Sequence, residues 1–383
     1  MSPTLIREWL LFVPVNPDQP DFERLLRVLL RDGEPDRVPF YEHFADQEFV
    51  EAVTGRRFGK EETPQGSGRQ HYFQTLVDFY VKLGFDYVPL EVSLNLPRSN
   101  VLQTSDTAAL SRGMRAWNDE QKGTIETVED FERYPWPEPS EAADLDQFES
   151  LRRLLPEGMN VVGGVGGGVF EHVSWLMGMA NTSRAVYTDT NLVERMFSKV
   201  GSLILSVDTE IVKRGYVGAL RMGDDLGFNS GPFIAPKFLR KYVFTWYEKC
   251  VQLAHGSGLP FVLHSCGNLY KPDETGQSVM DYLADVVHID AKHSYEDAIM
   301  PVAEVKAKYG HKLAILGGVD VDKLVRSSEA EVRSYVRDIL KSCAPGGGYA
   351  LGTGNSVANY IPVVNYLAML DEGRKHGKYP IAQ

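Results

Sequence analysis

"PKFLRKYVFTWYEKCVQLAHGSGLPFVLHSCG" (residues 236–267) decides the fold. Its first part is an amphipathic helix that opens on Pro236 and stops at Gly256, a natural C-terminal glycine. Its second part, "FVLHSCG" (261–267), is a short apolar run of strand length that breaks into polar residues and a glycine. A helix feeding a buried strand is half of an α/β repeat. Working outward, further strand candidates are "VPFYEHF" (38–44), "YVPLEVS" (87–93), "NVVGGVG" (160–166) and "ALRMGDD" (219–225). Downstream come "VVHIDAK" (286–292), "LAILGGVD" (313–320) and "YALGTGN" (349–355). Amphipathic helices lie between most of them. The clearest follows the Ser328–Glu331 capping box, with Val332, Tyr335, Val336, Ile339, Leu340 and Cys343 recurring at helical spacing.

Eight strand candidates alternating with helices predict an α/β fold, a (β/α)8 TIM barrel, with a doubly wound open sheet as the rival. Residues 1–35 read as an N-terminal helical extension. The polar, proline-containing stretch 94–158 reads as an insertion after the second strand, within a single domain spanning 1–383.

The chain has 383 residues and a formal net charge of −12, with no concentration of basic residues. That predicts neither nucleic acid nor an anionic membrane as partner. The three cysteines, Cys250, Cys266 and Cys343, are odd in number and widely spaced, which fits a reducing cytoplasm better than a disulfide framework. The opening "MSPTLIREWLLFVPVNPDQP" has no basic leader or small-residue cleavage site, so it is not expected to be a signal peptide. No apolar run approaches membrane-spanning length.

In barrels of this class the chemistry sits at the carboxyl ends of the strands. The strand ends here supply Glu42 and His43, Glu91, the glycines before Phe170, Asp224 and Asp225, His264 and Cys266. Later ends add Asp290, Lys292, His293, Asp320 and Asn355. Residues i and i+2 of a strand share a face, so His264 and Cys266 are expected to face one point, as a zinc-ligand pair would. Asp224 or Asp225, His293 and Asn355 are the candidate further donors. Adjacent strand residues face opposite ways, so one aspartate of "RMGDDLGFNSG" (221–231) points to the axis as a catalytic carboxylate, with Asp225 favoured. Substrate-binding candidates are Glu42, His43, Glu91, Phe170, Asn229, Asn268, His293, Asp320 and Asn355. "GGVGGGVFEH" (163–172) superficially matches a dinucleotide fingerprint, but reads better as a close-packed strand-to-helix turn that leaves room for a large ligand. Cys250 and Cys343 fall on helices and read as core.

Several stretches in this order resemble the uroporphyrinogen decarboxylase superfamily. They are "GEPDRVPF" (33–40), "GTIETVEDFERYPWP" (123–137), "HSCGN" (264–268), "LGGVD" (316–320) and "GGYALGTGNS" (347–356). The resemblance implies a (β/α)8 barrel and one of two branches, porphyrinogen decarboxylases or cobalamin-dependent and coenzyme M methyltransferases. The arginine-rich N-terminal stretch and the last-strand Gly-His-Gly of the decarboxylases are absent here, where the last strand reads Gly352-Thr353-Gly354. His264 and Cys266 match the zinc-binding His-x-Cys of the methyltransferases, while Asn355 stands where their third, cysteine ligand is expected. The resemblance therefore implies a methyltransferase moving a methyl group between a small substrate and a thiol or a corrinoid. It also implies zinc, a separate corrinoid-carrying protein as possible partner, and a possible homodimer. The alternatives are a metal-independent decarboxylase or lyase of a non-porphyrin acid, and a non-catalytic corrinoid- or tetrapyrrole-binding protein.

Overall fold

The computed structural model describes residues 19–111 and 113–382. The expected extension over 1–35 is described only from residue 19, where helix Phe22–Leu30 follows; the opening segment through residue 18 lies outside the described residues.

The strands in chain order are β1 (Tyr87–Ser93), β2 (Val101–Ser105), β3 (Met114–Asn118), β4 (Asn160–Gly166), β5 (Ala219–Gly223) and β6 (Gly227–Phe228). They continue as β7 (Gly231–Pro232), β8 (Phe261–His264), β9 (Ala291–His293), β10 (Ala314–Leu316) and β11 (Tyr349–Ala350). Seven of them form one parallel sheet in the order β1-β4-β5-β8-β9-β10-β11. Helices follow the strands and cover the outside. Sequential parallel pairing with helical crossovers is what strands buried on both faces require.

The eighth stave is the segment 38–45. It runs parallel beside β11 through the bridges Phe40–Leu351 and Ala45–Val357, with Tyr41 N donating to Leu351 O at 2.8 Å. On its other side no backbone ladder joins it to β1 among the described residues. The Tyr87 hydroxyl closes that seam, donating to Glu42 O (2.5 Å) and accepting from Glu42 N (2.8 Å). The sheet thus curls into the expected barrel, with one stave reduced from a strand to bridges.

One further expectation is corrected. "VVHIDAK" was expected as a strand over 286–292, but Leu283–Val287 is helical and β9 begins only at Ala291. Val286 and Val287 suit a strand locally, yet they finish the helix that starts at the Ser278 capping box. The 94–158 stretch, read as an insertion, carries an antiparallel hairpin, β2–β3, and the short helices Val128–Arg133 and Asp146–Arg152.

Two readings hold closely. Helix Glu329–Cys343 starts on the Ser328–Glu331 capping box and buries Val332, Val336, Ile339, Leu340 and Cys343. The helical stretch from Pro236 to Gly256 includes a π-helical turn at Leu239–Phe244 and buries Cys250. β4 is glycine-rich because its neighbours leave no room: a Cβ at Gly163 would lie 2.2 Å from Leu90 O, and one at Gly164 2.2 Å from Arg221 O.

Register now places the chemistry. Gly223 is paired with His264 and His264 with His293, so the ends of β5, β8 and β9 lie at one level of the barrel mouth. The side chain missing at Gly223 leaves its space to the ring of His43, 3.3 Å from where a Cβ would stand.

Candidate active site

Three histidines occupy that level. His43 stacks on His264, with ring centroids 3.9 Å apart and planes 9° from parallel. His264 Nδ1 lies 2.8 Å from His293 Nδ1, and His293 Nε2 lies 2.9 Å from Thr353 O. A carbonyl can only accept, so His293 carries its proton on Nε2 and its Nδ1 is an acceptor. His264 must then donate from Nδ1. Burial, together with the neighbouring cationic groups, holds all three imidazoles neutral: His43 and His264 well below the ordinary value, His293 near 3. The consequence is a bare lone pair on His264 Nε2.

That lone pair faces Cys266 Sγ at 3.8 Å and Asp225 Oδ1 at 3.8 Å. The three ligand atoms all lie within 4.8 Å of one another. Two zinc bonds of about 2.1 and 2.3 Å at a tetrahedral angle separate their ligand atoms by about 3.6 Å. The observed spacings fit a metal of that size with little movement. Asp225 is tied by accepting from Cys266 N at 2.8 Å. Burial, reinforced by the Asp225 carboxylate, pushes the Cys266 thiol up to about 12. Ser294 Oγ (3.2 Å) and Asn355 Nδ2 (3.3 Å) both donate to its sulfur, an arrangement that favours a thiolate.

The other expected residues separate into groups. Asn355 is beside the sulfur but offers its amide nitrogen, because Oδ1 is taken by Ser356 N at 2.7 Å. His293 stands behind His264 and orients it, as outer-shell partners of metal-binding histidines do. Asp224, expected as a catalytic carboxylate, is instead buried at the start of helix Val169–Met177. It accepts from Phe170 N (2.9 Å), Glu171 N (2.8 Å) and Tyr247 Oη (2.7 Å). The approach is close: a Cβ on Gly168 would fall 2.1 Å from that of Asp224. Burial first of all raises Asp224 to about 7.

Glu42 is buried against Thr353 N and Oγ1, and burial raises it to about 8. Phe170 is core, stacked on Phe233. Asn268 and Asn229 pair with each other outside the cavity wall, Asn268 Nδ2 donating to Asn229 O. Asp320 caps helix Val321–Arg326 beside a second cavity of about 400 Å³ that shares Asn355 with the first.

The first cavity, about 570 Å³, is lined by Asp225 and His264, two of the three residues of the ligand cluster. Its wall includes His43, Glu91, Asp225, His264 and Asn355, all expected from the sequence. Glu91 pairs with the buried Arg221 at 3.0 Å, and Arg221 also donates to His43 O at 2.5 Å. Sequence reading missed the rest of the wall. Glu171, His172 and Trp175 project from the helix after β4; Arg98 follows β1; Val101, Ala116, Trp117 and Asn118 come from the β2–β3 hairpin, which roofs the cavity. Burial, then the charges of Asp224, Asp225 and Glu91, raise Glu171 well above the carboxylate range. The "FEH" at 170–172 was the signal for Glu171 and His172; Arg98 had none.

The sequence profile described as uroporphyrinogen decarboxylase (URO-D) matches residues 121–376, more than half of the chain. The chain belongs to the uroporphyrinogen decarboxylase family. Two curated relatives in this family carry that enzyme's name. The protein from Actinobacillus succinogenes is 23% identical over 195 residues, spanning 51% of each chain. The one from Mannheimia succiniciproducens is 22% identical over 263 residues, covering 66% of this chain and 70% of its own. The match therefore spans only about half the length of the first relative. Among solved structures, a methyltransferase from Methanosarcina mazei superposes with a TM-score of 0.64 at 17% identity, over 92% of this chain and 97% of its own. At that identity the likeness is one of fold, and it shows the family barrel over nearly the whole chain. No helix among the described residues is long and apolar enough to cross a membrane.

Proposed function

We propose that this family member is a methyltransferase using zinc held by Asp225, His264 and Cys266, moving a methyl group between a small substrate and a thiol or a corrinoid on a separate protein. The observation that carries the reading is the His264 Nε2 lone pair, fixed by the His293–Thr353 relay and aimed between a thiol and a carboxylate. Three protein donors with an open side toward a cavity are the pattern of a catalytic rather than a structural zinc site. The metal would supply Lewis acidity, lowering the pKa of a substrate thiol or polarising a methoxy or methylamine group as its methyl leaves. Asp225 takes the ligand place that Asn355 does not fill. Ser294 and Asn355 steady the sulfur charge, and the hairpin roof keeps bulk water from the reacting atoms. The fold of the Methanosarcina mazei methyltransferase, whose barrel superposes on this one, supports the reading.

Elemental analysis of protein purified without chelator tests it. Wild type is expected to hold about one zinc per chain, and Cys266→Ala and His264→Ala to lose it while staying folded by circular dichroism. Equal trace zinc in all three would remove the metal mechanism.

A second reading is favoured by Glu171, a cavity-wall carboxyl kept protonated by burial and by its acidic neighbours. Such a group is a ready proton donor for a carboxy-lyase acting on a non-porphyrin acid. Activity that survives chelation and is lost in Glu171→Gln would select it.

A further inference from the structure

The cavity wall contains one cation with nothing to neutralise. Arg98 makes no hydrogen bond or ion pair among the described residues; its guanidinium lies over the Trp175 ring, 5.1 Å from the centroid. Arg98 is exposed at the cavity rim; the partial burial of its side chain lowers its pKa from the usual arginine value, opposed by the charge of Tyr134.

A surface arginine on a loose loop is commonly free, but this loop is stapled on both sides of Arg98. Pro97 O accepts from Tyr134 Oη at 2.9 Å, and Ser99 N donates to Thr124 Oγ1 at 3.0 Å. Asn100 Nδ2, buried, donates to Trp175 O at 3.0 Å and to Lys122 O at 2.9 Å. The segment carrying the cation is thus tied to the residue beneath it. Holding an arginine in place without a partner leaves its donors for something that arrives later.

The remaining charges on the wall are already matched. Glu91 has Arg221, Asp225 belongs to the ligand cluster, and Glu171 is held in its uncharged form by burial and its acidic neighbours. The same wall carries the apolar side chains of Leu94, Trp117 and Trp175. Arg98 and the cluster residues Asp225 and His264 line one cavity, Arg98 from the loop after β1 and the cluster from the ends of β5 and β8.

We propose that Arg98, over Trp175, binds the anionic end of a small aromatic or similarly apolar substrate whose opposite end reaches Asp225, His264 and Cys266. The shared chemistry is a planar or tetrahedral oxyanion, a carboxylate or a sulfonate, gripped by the guanidinium fork. The assignment rests on reading this cavity as the substrate site but not on the metal.

Calorimetric titration with benzoate, benzenesulfonate and benzamide tests it. At least one anion is expected to bind at least about tenfold more tightly than neutral benzamide, and the tighter anion names the group. Arg98→Gln should weaken that anion about tenfold or more with benzamide unchanged, and Arg98→Lys should recover part of the loss. Arg98→Gln should keep the wild-type metal content, and Cys266→Ala should keep anion binding, so this assignment and the zinc reading fail separately. Equal affinity for the anions and benzamide, or undiminished anion binding by Arg98→Gln, would overturn it.

Discussion

At the scale of single residues, the site depends on a proton order imposed from behind. His293 touches neither cavity nor ligand position, yet its Nδ1 is the acceptor that turns His264 Nε2 toward Cys266 and Asp225. Removing an outer-shell partner of this kind typically costs 10–100-fold in metal affinity. His293→Ala is therefore expected to weaken zinc binding by about that factor, measured by competition with a chromophoric chelator, without the outright loss expected for Cys266→Ala. Undiminished affinity would show that His264 is oriented by other means. Part of this was legible in the sequence. Alternation along a strand put one of Asp224 and Asp225 inward, and the structure turns Asp225 to the ligand cluster and Asp224 to the helix start. The roles of Arg98 and Asn355 were not legible. A lone arginine in a polar loop has no periodicity, and which atom an asparagine presents is decided by a hydrogen bond to its own neighbour.

At the scale of elements, the β2–β3 hairpin is the part that sequence reading passed over. Its residues are exposed on both faces, apart from half-buried Asn118, so it shows none of the apolar alternation that marks a half-buried ribbon. A two-stranded hairpin is marginal alone in water, so this one is held by its attachments. Arg115 ties β3 across the mouth to Asp46 (3.0 Å), Asp106 (3.2 Å) and Asn359 (2.8 Å), and Asn359 donates to Asp106 at 2.7 Å. Side-chain hydrogen bonds, with the Arg115 charge adding, hold Asp106 near 2. Arg115→Ala is expected to speed amide exchange across 101–118 at least about tenfold, while leaving the melting temperature within a few degrees. Unchanged exchange would mean that the base, stapled by Asn100, suffices. By contrast, β1 and β4 were read to the residue, because both are buried, β-branched and bounded by turns. β9 was misplaced because a three-residue strand carries less signal than the valines ending the helix before it.

At the scale of the whole molecule, buried ionisable groups make stability depend on pH in two opposed windows. Burial raises Glu42 and Asp208 from 4.5 and 3.8 to about 8, and Asp224 to about 7. An acid with a raised folded pKa keeps its proton longer in the native state, so its contribution is full at low pH and is lost as pH rises toward 8. The histidines run the other way. His43, His264 and His293 stay neutral when folded, so their contribution is present above 6.5 and is lost as pH falls. Between 6.5 and 8 the three acids outnumber the one opposing group, Lys292, which burial lowers to about 8 and whose contribution returns only as pH rises through that value. Metal-stripped protein should therefore melt at progressively lower temperature from pH 6.5 to 8. Asp208→Asn, which keeps an acceptor for Val165 N, should flatten that slope and raise the melting temperature at pH 8 by several degrees. A wild-type melting temperature constant across this range would contradict the buried-acid account.

Asn355 belongs to the walls of both mouth cavities, the one of about 570 Å³ and the one of about 400 Å³. Among the described residues, it is the one that lines both. Trimming it to alanine or glycine is expected to widen both rooms at their shared side and to let in molecules larger than either now holds. A single codon thus bears on the reach of this barrel toward bulkier compounds, at the cost of one donor to the Cys266 sulfur.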